Sequence, residues 1–159
     1  MSHGAITESN LYDATANLLQ SGTSTEKVAA LSSLNASKGW MIRLGSADSG
    51  EKTLAESLTY AGIVYFTTYS PGDTSSSPCQ AVPGEGRLYA VNLTDATAYA
   101  ETGTTPTTSR SRATKTVGIP PRPVIVHLDN KSTVCVGTDC DTPAPTLNKT
   151  PIPTYWIDQ

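Results

Sequence analysis

A mainly β chain with a short helical N-terminus is what this 159-residue sequence predicts, and three observations lead there. Residues 57–93, SLTYAGIVYFTTYSPGDTSSSPCQAVPGEGRLYAVNL, read as three consecutive antiparallel strands. The same order of strand, tight turn and strand returns at 123–138, PVIVHLDNKSTVCVGT. Apolar spacing of three and four residues is confined to the first forty positions.

The helical part comes first. Leu11, Ala14 or Thr15, Leu18 and Leu19 recur at helical spacing, and Gly22 ends the run. Thr23 followed three residues later by Glu26 forms a capping box for a second helix running through Leu34, with Val28, Leu31 and Leu34 facing a sheet. Next, SLTY ends at Ala61-Gly62, where glycine tolerates the positive φ of a tight turn, and the β-branched and aromatic run IVYFTTY returns as the second arm of a hairpin. A loop rich in Pro, Gly, Asp and Ser leads to GRLYAVNL, which alternates Leu88, Ala90 and Asn92 on one face with Tyr89, Val91 and Leu93 on the other. The second unit turns at Asp129, Asn130 and Lys131. Sheets of this kind cannot bury both faces alone, so copies stack around an axis. The predicted architecture is therefore a partial β-propeller of about one to two four-stranded antiparallel blades.

Along the chain this divides as a helical segment at 1–36, a nearly complete blade at 37–101, a polar loop at 102–117, and closing-blade strands with a Pro-rich tail at 118–159. The loop is Thr-rich and places Arg110, Arg112 and Lys115 at a solvated tip. From Asp141 onward the prolines predict an extended, polyproline-like course over the surface. The closing blade thus has two predicted strands, with 152–157 the remaining source of another.

Three cysteines, Cys79, Cys135 and Cys140, allow three pairings. The spacing favours Cys135 with Cys140, which straddle Val136, Gly137, Thr138 and Asp139 at a strand end, while Cys79 competes for Cys140. A zinc site is disfavoured because His3 and His127 stand apart from any four-ligand set. Asp139 and Asp141 flank Cys140 without further oxygen ligands at calcium-loop spacing. No nucleophile elbow, phosphate loop or Ser or Cys nucleophile beside a histidine with an orienting acid is evident; Glu51, Glu56 and Glu85 read as isolated, solvent-facing carboxylates. No catalytic, cofactor or metal residue is therefore assigned. Sequons at Asn35, Asn92, Asn130 and Asn148 are expected by chance in a chain rich in Ser and Thr.

A net charge of -3 and a pI near 5.2 leave no electrostatic footprint for nucleic acid. The first residues lack a basic region followed by an apolar run, so they do not read as a signal peptide, and no apolar stretch approaches the ~20 residues of a membrane span.

Six segments in order, KGWMIRL (38–44), GEKTLAESLTYAGIVYFTTYSP (50–71), GEGRLYAVNL (84–93), GIPPRPVIV (118–126), CVGTDC (135–140) and TYW (154–156), resemble the C-terminal end of the PilY family, the tip-associated adhesins and biogenesis factors of type IV pili. The resemblance covers roughly residues 11–156. It implies a non-catalytic module at the cell surface or pilus tip, reached through the periplasm by an export signal lying outside this chain. Implied partners are minor pilins, the remainder of a pilus tip protein, or a host or abiotic surface. The family's propeller carries a calcium loop of the form Asp-x-Asp-x-Asp, which this chain lacks, so calcium is not carried over to any residue here. The alternative reading is a fragment of a quinoprotein-like propeller dehydrogenase. Both readings expect an incomplete sheet stack that exposes Val124 and Val126.

Overall fold

The computed structural model describes residues 5–45, 50–72, 83–99, 108–128 and 131–145. The protein is mainly β, with two α-helices and three sheets among the described residues, none of these sheets closed on itself. Among the described residues no helix is long and apolar enough to cross a membrane.

The N-terminal unit is less helical than its spacing predicts. A single 3₁₀ turn at Glu8–Asn10 leads into strand β1 (Tyr12–Asp13), and α1 is a single turn, Leu18–Ser21. Asn17 lies in the left-handed region at φ 53°, which breaks any helix running from Leu11. β1 instead pairs in parallel with β2 (Trp40–Met41), so the predicted boundary at residue 36 is bridged by a two-stranded sheet. Helix α2 (Ser24–Ala36) begins as the sequence predicts: Glu26 donates its backbone N–H to Thr23 Oγ1 at 3.4 Å, and Glu26 Oε2 accepts from the Thr23 backbone N–H at 2.8 Å. That second bond holds the Glu26 carboxyl below its ordinary range. Thr23→Ala is expected to cost about 1 kcal/mol, read as faster amide exchange over the first turn of α2. Unchanged protection there would show that the cap is redundant.

The expectation that Val28 and Leu31 face a sheet is corrected. They are 70% and 51% exposed, and Ala30 is the buried residue of α2, because α2 packs chiefly on the short α1.

The larger sheet is a four-stranded antiparallel meander, β3 (Leu58–Tyr60), β4 (Ile63–Ser70), β5 (Glu85–Asn92) and β6 (Ser111–Ala113), in that order. Ala61 and Gly62 both take positive φ, 49° and 80°, the twist that a two-residue hairpin turn requires. Pairing of Tyr65 with Ala90 and of Thr67 with Leu88 puts Ile63, Tyr65, Thr67, Leu88 and Ala90 on one face. The opposite face carries Phe66 and Tyr89, stacked at 4.7 Å between ring centroids.

β6 corrects the prediction of a solvated loop at 102–117. It pairs with β5 through Arg87↔Ala113, Leu88↔Arg112 and Tyr89↔Ser111, which puts Arg112 on the inner face beside Leu88. The third sheet contains β7 (Val124–Leu128), β8 (Lys131–Val136) and β9 (Asp139–Ala144). β9 corrects a second expectation, because Thr142, Pro143 and Ala144 pair with β8 instead of leaving the sheet in an extended surface course. Residues 152–157 lie outside the described residues.

The two larger sheets pack face to face. Ile63, Tyr65 and Leu88 of one meet Val134, Val136 and Ala144 of the other in a single buried cluster, with Leu58, Tyr60, Ala90, Tyr99 and Ile125 around it. Segment 114–121 joins the sheets and is tied down near both ends. Thr114 donates its N–H to Gly86 O at 2.8 Å, and Thr67 Oγ1 donates to Pro121 O at 3.1 Å. A Cβ on Gly86 would lie 2.6 Å from Thr114 Oγ1 and 3.2 Å from the Pro120 ring, so a larger residue there would force the connecting segment to shift.

Candidate functional site

The most organised polar constellation lies where β6, the connecting segment and β9 converge. Arg112, inward-facing from β6, reaches across the sheet interface and forms a fork on Asp139, with Nη1 to Oδ2 at 2.7 Å and Nη2 to Oδ1 at 3.1 Å. Its Nε donates to Thr142 Oγ1 at 2.8 Å, and the Lys115 backbone N–H donates to Asp139 Oδ2 at 3.1 Å. Asp139 is buried, its side chain fully so, while the Arg112 side chain keeps 34% of its exposure. A buried carboxylate must be compensated, and a planar guanidinium satisfies both oxygens at once. The local chain supplies this geometry: Val136 pairs with Asp139 across the Gly137-Thr138 turn, Gly137 at φ 59° makes the reversal, and a register shift between Val134 and Val136 aims Asp139 inward.

The same turn holds the predicted cysteine pair. Cys135, buried, and Cys140, exposed, have their sulfurs at bonding distance across the β8–β9 hairpin. Non-reducing peptide mapping after oxidative expression is expected to recover Cys135 and Cys140 in one cross-linked peptide with Cys79 alkylated. Recovery of both hairpin thiols in alkylated form would overturn it. Cys79 itself lies outside the described residues.

Two further polar groups flank the sheets. On the outer face of the large sheet, Glu51 Oε1 accepts from Thr68 Oγ1 at 2.6 Å and from Tyr89 OH at 3.1 Å. Burial, reinforced by Glu51, pushes the Tyr89 hydroxyl up. At the inter-sheet boundary, His127 Nδ1 and Ser132 Oγ stand 2.9 Å apart as a direct cross-strand pair, Tyr60 OH lies 3.3 Å from the same Oγ, and the Tyr60 and His127 rings are 5.6 Å apart. Among the described residues no carboxylate is hydrogen-bonded to His127. Arg110 is half-buried, donates Nη2 to Ala14 O, and has its pKa pulled down by burial. The Tyr65 hydroxyl is buried between the sheets without a hydrogen-bond partner among the described residues, and burial pushes its pKa up.

The chain was compared with family models, with curated proteins and with solved structures. None matches. The geometry therefore carries the functional reading together with the order of the sequence segments.

The structure places the sequence-selected residues in three ways. Cys135 and Cys140 come together. Glu51, Glu56 and Glu85, expected to be isolated, each have a partner: Glu51 with Thr68 and Tyr89, Glu56 with Arg122 at 3.2 Å and Glu85 with Arg87 at 2.6 Å. Those last two pairs are exposed, as the sequence predicts for these carboxylates, and Glu51 is the half-buried exception. His3 lies outside the described residues, and among the described residues no cluster of three or more His, Cys, Asp or Glu could hold a metal ion. Sequence reasoning misses the Arg112–Asp139 pair because the two residues are 27 positions apart and each sits in a segment that reads as surface. The alternation of Arg110 and Arg112 around Ser111 is the available signal, a period of two in a stretch otherwise without pattern.

Proposed function

We propose that this chain is a non-catalytic contact module of a type IV pilus tip adhesin or pilus biogenesis factor, built from two adjacent blades of a β-propeller and acting by protein-protein or surface contact. The observation that carries the reading is the way the two larger sheets stack. Tyr60 of β3 meets His127 of β7, Leu88 of β5 shares the core with Val134 of β8, and Arg112 of β6 meets Asp139 and Thr142 of β9. Strands lie over strands in the same order, which is the relation that rotation about an axis produces between neighbouring blades. The outer face of the three-stranded sheet adds support. It bears Val124 and Leu128, 40% and 68% exposed, where a further sheet would stack.

On this reading the polar junctions are structural fastenings, and the recognition elements are sheet edges and loops. Minor pilins, or the remainder of a pilus tip protein, are the partners of first choice, with a host or abiotic surface beyond them. The site of action is the cell surface or pilus tip, reached through the periplasm, where a Cys135–Cys140 bridge persists. The test is direct binding of the immobilised 159-residue chain to purified minor pilins. Saturable binding in the micromolar range, lost on unfolding the chain, supports the reading. Absence of binding to every minor pilin and to the remaining pilus tip protein removes it.

A further inference from the structure

We propose that strand β7 pairs edge to edge with β7 of a second copy of this chain, forming a closed antiparallel dimer centred on Val126. The proposal stands apart from the pilus reading and rests on a contrast among the four edges of the two larger sheets. A sheet edge presents unpaired backbone groups, and soluble proteins blunt it with short strands, charges, prolines or bulges. β3 and β6 are three residues each, β6 carries Arg112, and Lys52 covers β4 beyond β3 by pairing with Tyr69. β9 carries Pro143, two aspartates and the register shift against β8. Among the described residues, β7 has none of these devices. It is five residues, VIVHL, rich in β-branched side chains, without Asp, Glu, Lys, Arg, proline or glycine, and its register with β8 is continuous.

The strand is complementary to itself. Antiparallel pairing about Val126 sets Val124 opposite Leu128 of the second copy, Ile125 opposite His127, and Val126 opposite Val126, so no like charges are opposed and the exposed Val124 and Leu128 side chains cover one another. A five-residue strand pair alone falls short of the roughly 1,000 Å² that a specific interface needs. The second layer extends it: Tyr60 of β3 lies over His127 of β7, so the same two-fold axis brings the two β3 edges together above the junction. Closure also follows. The joined three-stranded sheets end in the Pro143-bearing β9 edges, which stop further addition.

Sedimentation equilibrium on the full chain tests the proposal, with two variants at solvent-exposed positions. The wild type is expected to reach a dimer with rising concentration and no larger species. V124K/L128K sets two introduced ammonium groups against each other at each symmetric contact and should weaken dimerisation at least about tenfold. V124K/L128E, changed at the same two positions, sets opposite charges face to face and should restore it. Far-UV circular dichroism establishes that both variants keep the sheet content. A wild type that stays monomeric at hundreds of micromolar, open-ended oligomers, or a dimer indifferent to the like-charge variant would each overturn the assignment.

Discussion

Replacing Arg112 by methionine is expected to lower the unfolding free energy by about 3 kcal/mol. The substitution keeps most of the side chain's apolar length, so what it removes is charge and four hydrogen bonds, two to Asp139, one to Thr142 and one to the Ala113 carbonyl. Asp139 is then left as a buried carboxylate without its guanidinium, and a backbone N–H such as that of Lys115 does not offset a full charge. Breaking a buried pair on one side costs about 3–5 kcal/mol, and the lower figure applies because a third of the guanidinium side already sees water. The companion variant R112M/D139N removes the buried charge and should recover part of the loss. Urea titration followed by circular dichroism measures both. A loss under about 1 kcal/mol for Arg112→Met would mean that the pair behaves as an exposed salt bridge.

Leu88→Ala is expected to cost about 3 kcal/mol, within the range of roughly 2–5 for truncating a buried leucine. Leu88 is 2% exposed and packs in the one cluster that holds the two larger sheets together, so its loss leaves a cavity that rigid strands on both sides cannot close. Leu31→Ala on α2 is the matched control. Leu31 is 51% exposed and should change stability by no more than about 0.5 kcal/mol. Equal costs for the two leucines would contradict the placement of the core between the sheets.

Much of this arrangement is legible in the sequence where local chemistry and tertiary packing agree. The Ala61-Gly62 turn, the alternation of GRLYAVNL, the capping box of Thr23 and Glu26 and the strand pair on either side of residues 129–130 are all local signals. The structure contains strands or a helix at each. The failures have physical causes. β6 is Ser-Arg-Ala, and its place in the sheet comes from pairing with β5 and from the guanidinium bonds of Arg112, which leave no hydrophobic trace. β9 contains two aspartates and Pro143, residues that depress strand propensity, and it forms because β8 provides a template one turn away. The opposite failure occurs at Val28 and Leu31, where helical spacing promises burial and α1 offers too small a surface to cover them. The candidate site is legible only in its cysteines, because a buried ion pair is a property of two distant segments together.

The different reach of the two larger sheets along the chain has a kinetic consequence. β7, β8 and β9 are consecutive hairpins, so every pairing in their sheet closes a short loop, whereas β5 must wait for β6 across nearly twenty intervening residues. The three-stranded sheet should therefore form early and the four-stranded sheet be completed late. Asp139 takes its place in the hairpin in the first event, and its fork with Arg112 forms only in the second. Docking of β6 is thus the step that commits the chain, and Arg112→Met should slow refolding more than it speeds unfolding if the ion pair is already made in the transition state.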